Sequence, residues 1–167
     1  MDETYVGGKH KGKRGRGTEN KTLFVALVER GGEFRAGKVQ NVTAKTLNHI
    51  IRENVTPDSR IMTDKFLAYN RLDEEFASHE TVNHGIGEYV HGNAYTNTLE
   101  GWFSLLKRGV KGTFHHVSEQ DIDCYVGELV FRYNNRKTTD AERAIKSLKG
   151  TEGKMLVYKE VIKKAGS

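Results

Sequence analysis

Three acids stand where carboxylates could work together: Asp2 in the opening stretch MDETYV, Asp64 at the end of RIMT, and Glu100 in NTLEGWF. Between Asp64 and Glu100 lie 35 residues, and Lys107 follows Glu100 by seven positions. On a helix seven residues make two turns, so Glu100 and Lys107 share nearly one face. Three carboxylates brought together repel unless divalent cations neutralise them. Hard oxygen donors with open positions suit Mg²⁺ or Mn²⁺ rather than Zn²⁺. Such a site can hold two ions, one activating an attacking water or hydroxyl, the other stabilising the leaving oxygen of a phosphodiester. Lys107 then meets a phosphate beside the metals. A plainer account stands next to this one. The chain has 22 acids, Asp64 can be a strand-terminal turn residue, and Asn97 and Glu100 are spaced as a capping box.

Basic residues supply the second kind of chemistry. Residues 7–16 read GGKHKGKRGR and hold Lys9, Lys11, Lys13, Arg14 and Arg16 without an acid. The net charge of +5 is the charge of this stretch, since the other 22 basic residues balance the 22 acids. A flexible segment of one sign fits a polyanion, most often nucleic acid. His115 and His116 follow Lys107, Arg108 and Lys111, and read as a loop that contacts phosphate or a neighbouring helix. Arg132, Asn134 and Arg136 close a helical stretch, where such residues satisfy C-terminal carbonyls. Trp102 and Phe103 fall at apolar helical spacing, so at least one belongs to the core.

The elements that must position these residues follow from periodicity. After the short strand MDETYV, TLFVALV at 22–28 is an apolar run suited to a buried strand. Gly31-Gly32 offers a hairpin turn, and 34–42 reads as the returning strand. Thr43 caps a helix over 44–54. A strand at 60–63 ends at Asp64. Residues 66–76 read as helix and 79–83 as a weaker strand. Helices follow over 97–108, stopped by Gly109, and from the Ser118 cap to Asn134. The last is opened by a Thr139–Glu142 capping box and closed by Gly150. Strands mixed with helices predict an α/β fold, a mixed sheet with helices packed on it. In such sheets ligands gather where strands end. One domain spans 1–150, with a tail at 151–167 that can form a short helix.

Local sequence narrows the reading. DETYVGGK at 2–9, TDKFLAY at 63–69, NTLEGWFSLLKRG at 97–109 and FRYNNRK at 131–137 resemble the DDE transposases of bacterial insertion sequences. The likeness is to the group that carries a zinc ribbon ahead of a ribonuclease-H-like catalytic domain, and it covers residues 2 to about 149. It implies a five-stranded mixed sheet with carboxylates on the first and fourth strands and on a later helix. Asp2, Asp64 and Glu100 are then the metal ligands, with Asn97 an alternative third ligand one turn from Glu100, and Lys107 the following basic residue. The resemblance also implies DNA contact by Arg132, Asn134 and Arg136, two Mg²⁺ or Mn²⁺ ions, cleavage at transposon ends, transfer of the 3′-hydroxyl into target DNA, and a homo-oligomer on DNA. No small-molecule cofactor is implied.

Other classes fall away. No apolar run approaches the 18 or so residues of a membrane span, and Asp2 and Glu3 directly after Met1 do not suit a signal peptide. Cys124 is the single cysteine, which leaves no disulfide and no Cys-rich zinc site within residues 1–167. A cytoplasmic protein acting at the nucleoid is expected. The zinc ribbon is missing and one residue precedes Asp2, so the chain reads as a catalytic-domain fragment or a decayed copy. Correct folding and metal affinity, with poor transposition alone, are the expected behaviour. Two other classes stay open: a ribonuclease-H-like nuclease without strand transfer, and a non-catalytic DNA-binding protein.

Overall fold

A computed structural model describes residues 1–7, 21–64, 67–69, 72–82, 90–91, 94–95, 97–113, 117–118 and 121–154. The chain runs β1 (Asp2–Val6), β2 (Thr22–Val28), β3 (Phe34–Val39), α1 (Ala44–Asn54), β4 (Arg60–Asp64), β5 (Ser78–Val82), β6 (Val90–His91), β7 (Ala94–Tyr95), α2 (Asn97–Arg108), α3 (Ile122–Asn134) and α4 (Asp140–Lys149). The class is α/β, as expected.

Strand β2 organises the molecule. It pairs antiparallel with β1 and β3, and its first five residues are buried. A strand buried on both faces reads as a continuous apolar run, because neither face meets water. Phe24 and Ala26 join Val6, Phe34, Trp102, Phe103 and Leu106 in one core beneath α2 and α3. Val25 joins Leu47, Ile51, Ile61 and Tyr69 in a second core beneath α1. Both Trp102 and Phe103 are therefore core residues. Trp102 stacks tilted on Phe34 at 4.5 Å between ring centroids.

The sheet differs from the single five-stranded sheet expected. β1, β2 and β3 form one antiparallel sheet, and β4 pairs with β5 in a separate parallel one. The two meet at one main-chain bond, from the Met1 amine to the Met62 carbonyl at 2.7 Å.

Several local expectations change for physical reasons. Of the stretch 66–76, the described residues hold two short 3₁₀ turns, Leu67–Tyr69 and Leu72–Glu74, where a helix was expected. Tyr69, Leu72 and Phe76 are all buried, and their three-to-four spacing serves a 3₁₀ turn as well as an α-helix. Gly109 ends the regular helix but not the coiling, which continues as a π-helical turn over Gly109–Thr113 because Val110 stays packed in the first core. The returning strand stops at Val39 because Asn41 Oδ1 accepts from Thr43 and Thr46 and turns the chain into α1. Ser118 forms the approach to α3, accepting from the Asp121 amide, and the helix proper begins at Ile122. The β6–β7 hairpin has strands of two residues each, too short to leave a periodic signal.

Candidate metal centre

Alternation along β1 decides where its acids point. Val6 lies in the core beneath α2, so Asp2, two pairs of positions earlier, faces the same side. Met1 lies in the opposite core, which puts Glu3 on that side. On β4, Ile61 belongs to the core beneath α1, so Asp64 faces the α2 side with Asp2. The Met1–Met62 bond sets the ends of the two strands level.

The outcome is a compact group of acids. One carboxylate oxygen each from Asp2, Glu3 and Asp64 lie within 4.8 Å of one another, and all three residues are half-buried. Among the described residues this is the one set of three His, Cys, Asp or Glu side chains close enough to hold an ion. Glu100 is half-buried on the first turn of α2 and is not part of that set. Asn97, at the start of the same helix, is exposed.

The electrostatics of the cluster follow from its burial. Burial pushes the Asp2 carboxyl up to about 6, and the charges of Asp64 and Glu3 add to this. The Glu3 amide donates to Asp2 Oδ1 at 2.8 Å and offsets only part of the effect. Gathered anionic oxygens of this kind fit a hard divalent cation, which removes both the repulsion and the penalty of burying charge.

Lys107 lies near this group. It is half-buried, and burial holds its ammonium below the usual lysine range, helped by Lys111 and Lys21 and opposed by the Asp2 charge. Helix α2 thus carries a cation into the field of Asp2 while its apolar stripe of Leu99, Trp102, Phe103 and Leu106 is buried. Arg108 and Lys111 are exposed beyond it.

Residues at the end of α3 fall elsewhere. The Asn134 carboxamide accepts from the Phe34 amide at 2.7 Å and donates to the Phe34 carbonyl at 2.9 Å. It pairs with the β3 edge as a neighbouring strand would. Arg136 stacks on the Tyr133 ring at 4.1 Å and reaches the Gly32 carbonyl. Arg132 pairs with Glu128 on the α3 surface. Lys9, Lys11, Lys13, Arg14, Arg16, His115 and His116 lie outside the described residues, as does the tail beyond residue 154.

Sequence reasoning passed over Glu3, Tyr69, Thr63 and His79. Tyr69, with no exposed surface, donates its hydroxyl to Glu3 Oε2 at 2.8 Å. Thr63, also wholly buried, donates to the Asp64 carbonyl at 2.8 Å and lies 2.9 Å from His79 Nε2. The motif TDKFLAY contains Thr63 and Tyr69, but alternation and turn geometry were needed to aim them.

The chain belongs to the ISXO2-like transposase domain family, whose model matches residues 1–134. It is 32% identical over 110 residues to an uncharacterized transposase-like protein of Haemophilus influenzae, covering 66% of this chain and 88% of that one. It is 34% identical over 125 residues to an uncharacterized protein in transposable element ISH50 of Halobacterium salinarum, covering 65% of this chain and 42% of that protein. No solved structure matches. The matched region contains every element from β1 to α3 and leaves α4 beyond it. No helix among the described residues is long and apolar enough to cross a membrane.

Proposed function

We propose that the acid cluster is a divalent-metal centre that cleaves a phosphodiester at a transposon end and joins the freed 3′-hydroxyl to target DNA. The observation that carries this is the meeting of Asp2 and Asp64 from two separate strands, with Lys107 in the field of Asp2, in a chain of a transposase family.

Asp2 and Asp64 would hold Mg²⁺ or Mn²⁺, two ions in all, with Glu100 as the third ligand and Asn97 as its alternative. Bound there, the metals supply charge neutralisation and a lowered pKa for the attacking hydroxyl. The protein's own part is positioning. The buried strand ends fix the two aspartates, and Lys107 holds the phosphate next to them. One centre serves both steps, since only the nucleophile changes, from water to the 3′-hydroxyl.

DNA runs over Lys107, Arg108 and Lys111, with His115 and His116 and the Lys9–Arg16 stretch gripping the backbone. Arg132 and Arg136 are further contacts. Asn134 serves the fold, given its bonds to Phe34. The catalytic unit is ribonuclease-H-like, acts as a homo-oligomer on DNA in the cytoplasm, and leaves recognition of the element's ends to a zinc-ribbon module of the kind its group carries.

The test uses labelled duplex ends with Mg²⁺ or Mn²⁺, comparing wild type with Asp64→Ala. Metal-dependent nicking and a 3′-joined product are expected from wild type alone. Nicking without joining would leave a simple nuclease. DNA binding with no nicking in either protein would leave a binding protein.

A further inference from the structure

The acid cluster has an underside, built from the wholly buried Tyr69 and Thr63 and the half-buried His79. Glu3 approaches Asp2 and Asp64 from the face opposite theirs. A glutamate has three side-chain torsions, and the neighbouring negative charges favour its swinging out to water. The Tyr69 hydroxyl opposes this by donating to Glu3 Oε2 at 2.8 Å. The Tyr69 ring lies without exposed surface among Leu47, Ile51 and Leu72, so the donor cannot follow Glu3 outward.

A second contact acts on Asp64. The Thr63 hydroxyl has one proton, and it goes to the Asp64 carbonyl at 2.8 Å. The Thr63 oxygen must then accept from His79 Nε2, 2.9 Å away. This fixes the proton of His79 on Nε2. Ile61 lies opposite His79 in the β4–β5 register, so Thr63 is its diagonal neighbour on one face. The contact holds the Asp64 carbonyl at the end of β4.

We propose that Tyr69, with Thr63 and His79, forms a brace beneath the acid cluster that holds Asp64 in place and adds Glu3 to Asp2 and Asp64 as a further carboxylate for the divalent metal. The inference rests on the metal reading given above. These are positioning residues, since they act through Glu3 and Asp64. Outer partners of metal ligands typically change affinity or activity by about 10–100-fold when lost.

The test titrates Mn²⁺ alone into the protein, following the free ion by electron paramagnetic resonance, beside the Mg²⁺ half-saturation of nicking. Tyr69→Phe removes one hydroxyl and keeps the packed ring. It is expected to weaken Mn²⁺ by about tenfold and to raise the Mg²⁺ requirement equally, with metal-free DNA binding unchanged. His79→Leu should do the same, and His79→Gln, whose amide nitrogen can donate from the same position, should restore most of the loss. Asp64→Ala is the control and should abolish Mn²⁺ binding. If Asp64→Ala binds Mn²⁺ as wild type does, the metal centre itself fails and the brace with it. If that control behaves, wild-type Mn²⁺ affinity in Tyr69→Phe overturns the brace. So does a His79→Gln variant no better than His79→Leu.

Discussion

At the scale of single residues, Asp2 ties stability to pH. Its carboxyl titrates at about 6 in the folded chain against an ordinary 3.8. The folded state therefore binds more protons than the unfolded state between about pH 4 and 6. Stability from this group is fully present below that range and is lost as pH rises through it. About two pH units correspond to about 3 kcal/mol. Asp2→Asn should thus stabilise the metal-free protein by up to about 3 kcal/mol at pH 7 and by nothing near pH 4, as read by urea denaturation. A difference that does not vary with pH would show that Asp2 is not buried against Asp64. Metal must displace the same proton, so Mn²⁺ affinity of the wild type should rise between pH 5 and 7. Asp64→Ala should remove metal-dependent nicking while leaving DNA binding in the absence of metal unchanged.

At the scale of elements, each helix has a distinct task. Helix α2 buries its apolar stripe and brings Lys107 towards the acids. Leu106→Ala should therefore cost about 2–5 kcal/mol of stability and also displace Lys107, weakening DNA binding more than a surface change would. Helix α3 closes the outer edge of β3 through Asn134. An exposed strand edge invites pairing with other chains, and the Asn134 carboxamide occupies this one. Asn134→Leu leaves the amide and carbonyl of the buried Phe34 without those partners, at a cost of about 1–3 kcal/mol. Denaturant unfolding reads the first effect, and light scattering on standing should show added self-association. Helix α4 has a complete capping box but no buried residue. Thr139→Ala should lower its helicity while leaving the unfolding midpoint of the rest of the chain nearly unchanged, as separate probes of α4 and of Trp102 can show.

At the scale of the whole molecule, the charge is unevenly distributed. The net +5 equals the charge of residues 7–16, which begin five positions after Asp2. Neutralising Lys9, Lys11, Lys13, Arg14 and Arg16 together should flatten the dependence of DNA affinity on salt, by up to about four units of the log–log slope. Mn²⁺ binding should be unaffected. An unchanged slope would mark these residues as a solvated stretch. Sheet organisation belongs to this scale too. A core on each face of β2 means that its disruption reaches both α1 and α2. Phe24→Ala, at a position with no exposed surface, should cost about 3–5 kcal/mol and loosen β1 with its acids.

Much of this was legible in the residues themselves. The continuous apolar run of β2, the span of α1, the Thr139–Glu142 box and the amphipathic stripe of α2 are local patterns, and local patterns report which side of an element must leave water. The family likeness came from four short blocks, and the family model covers three of them whole and the start of the fourth. Other features were decided only in three dimensions. Glu3 joins Asp2 and Asp64 although alternation sends it to the other face. Glu100, on the first turn of α2, is not among the carboxylates that lie within 4.8 Å of one another. Asn134 serves the edge of a strand 100 residues away. Tyr69 meets Glu3, and His79 meets Thr63, through contacts 66 and 16 residues apart in sequence. A sequence states which residue types are available and which face of an element is apolar. The meeting of two strand ends, and so the local field that a carboxylate feels, depends on how separate elements pack, and no pattern within one element carries that information.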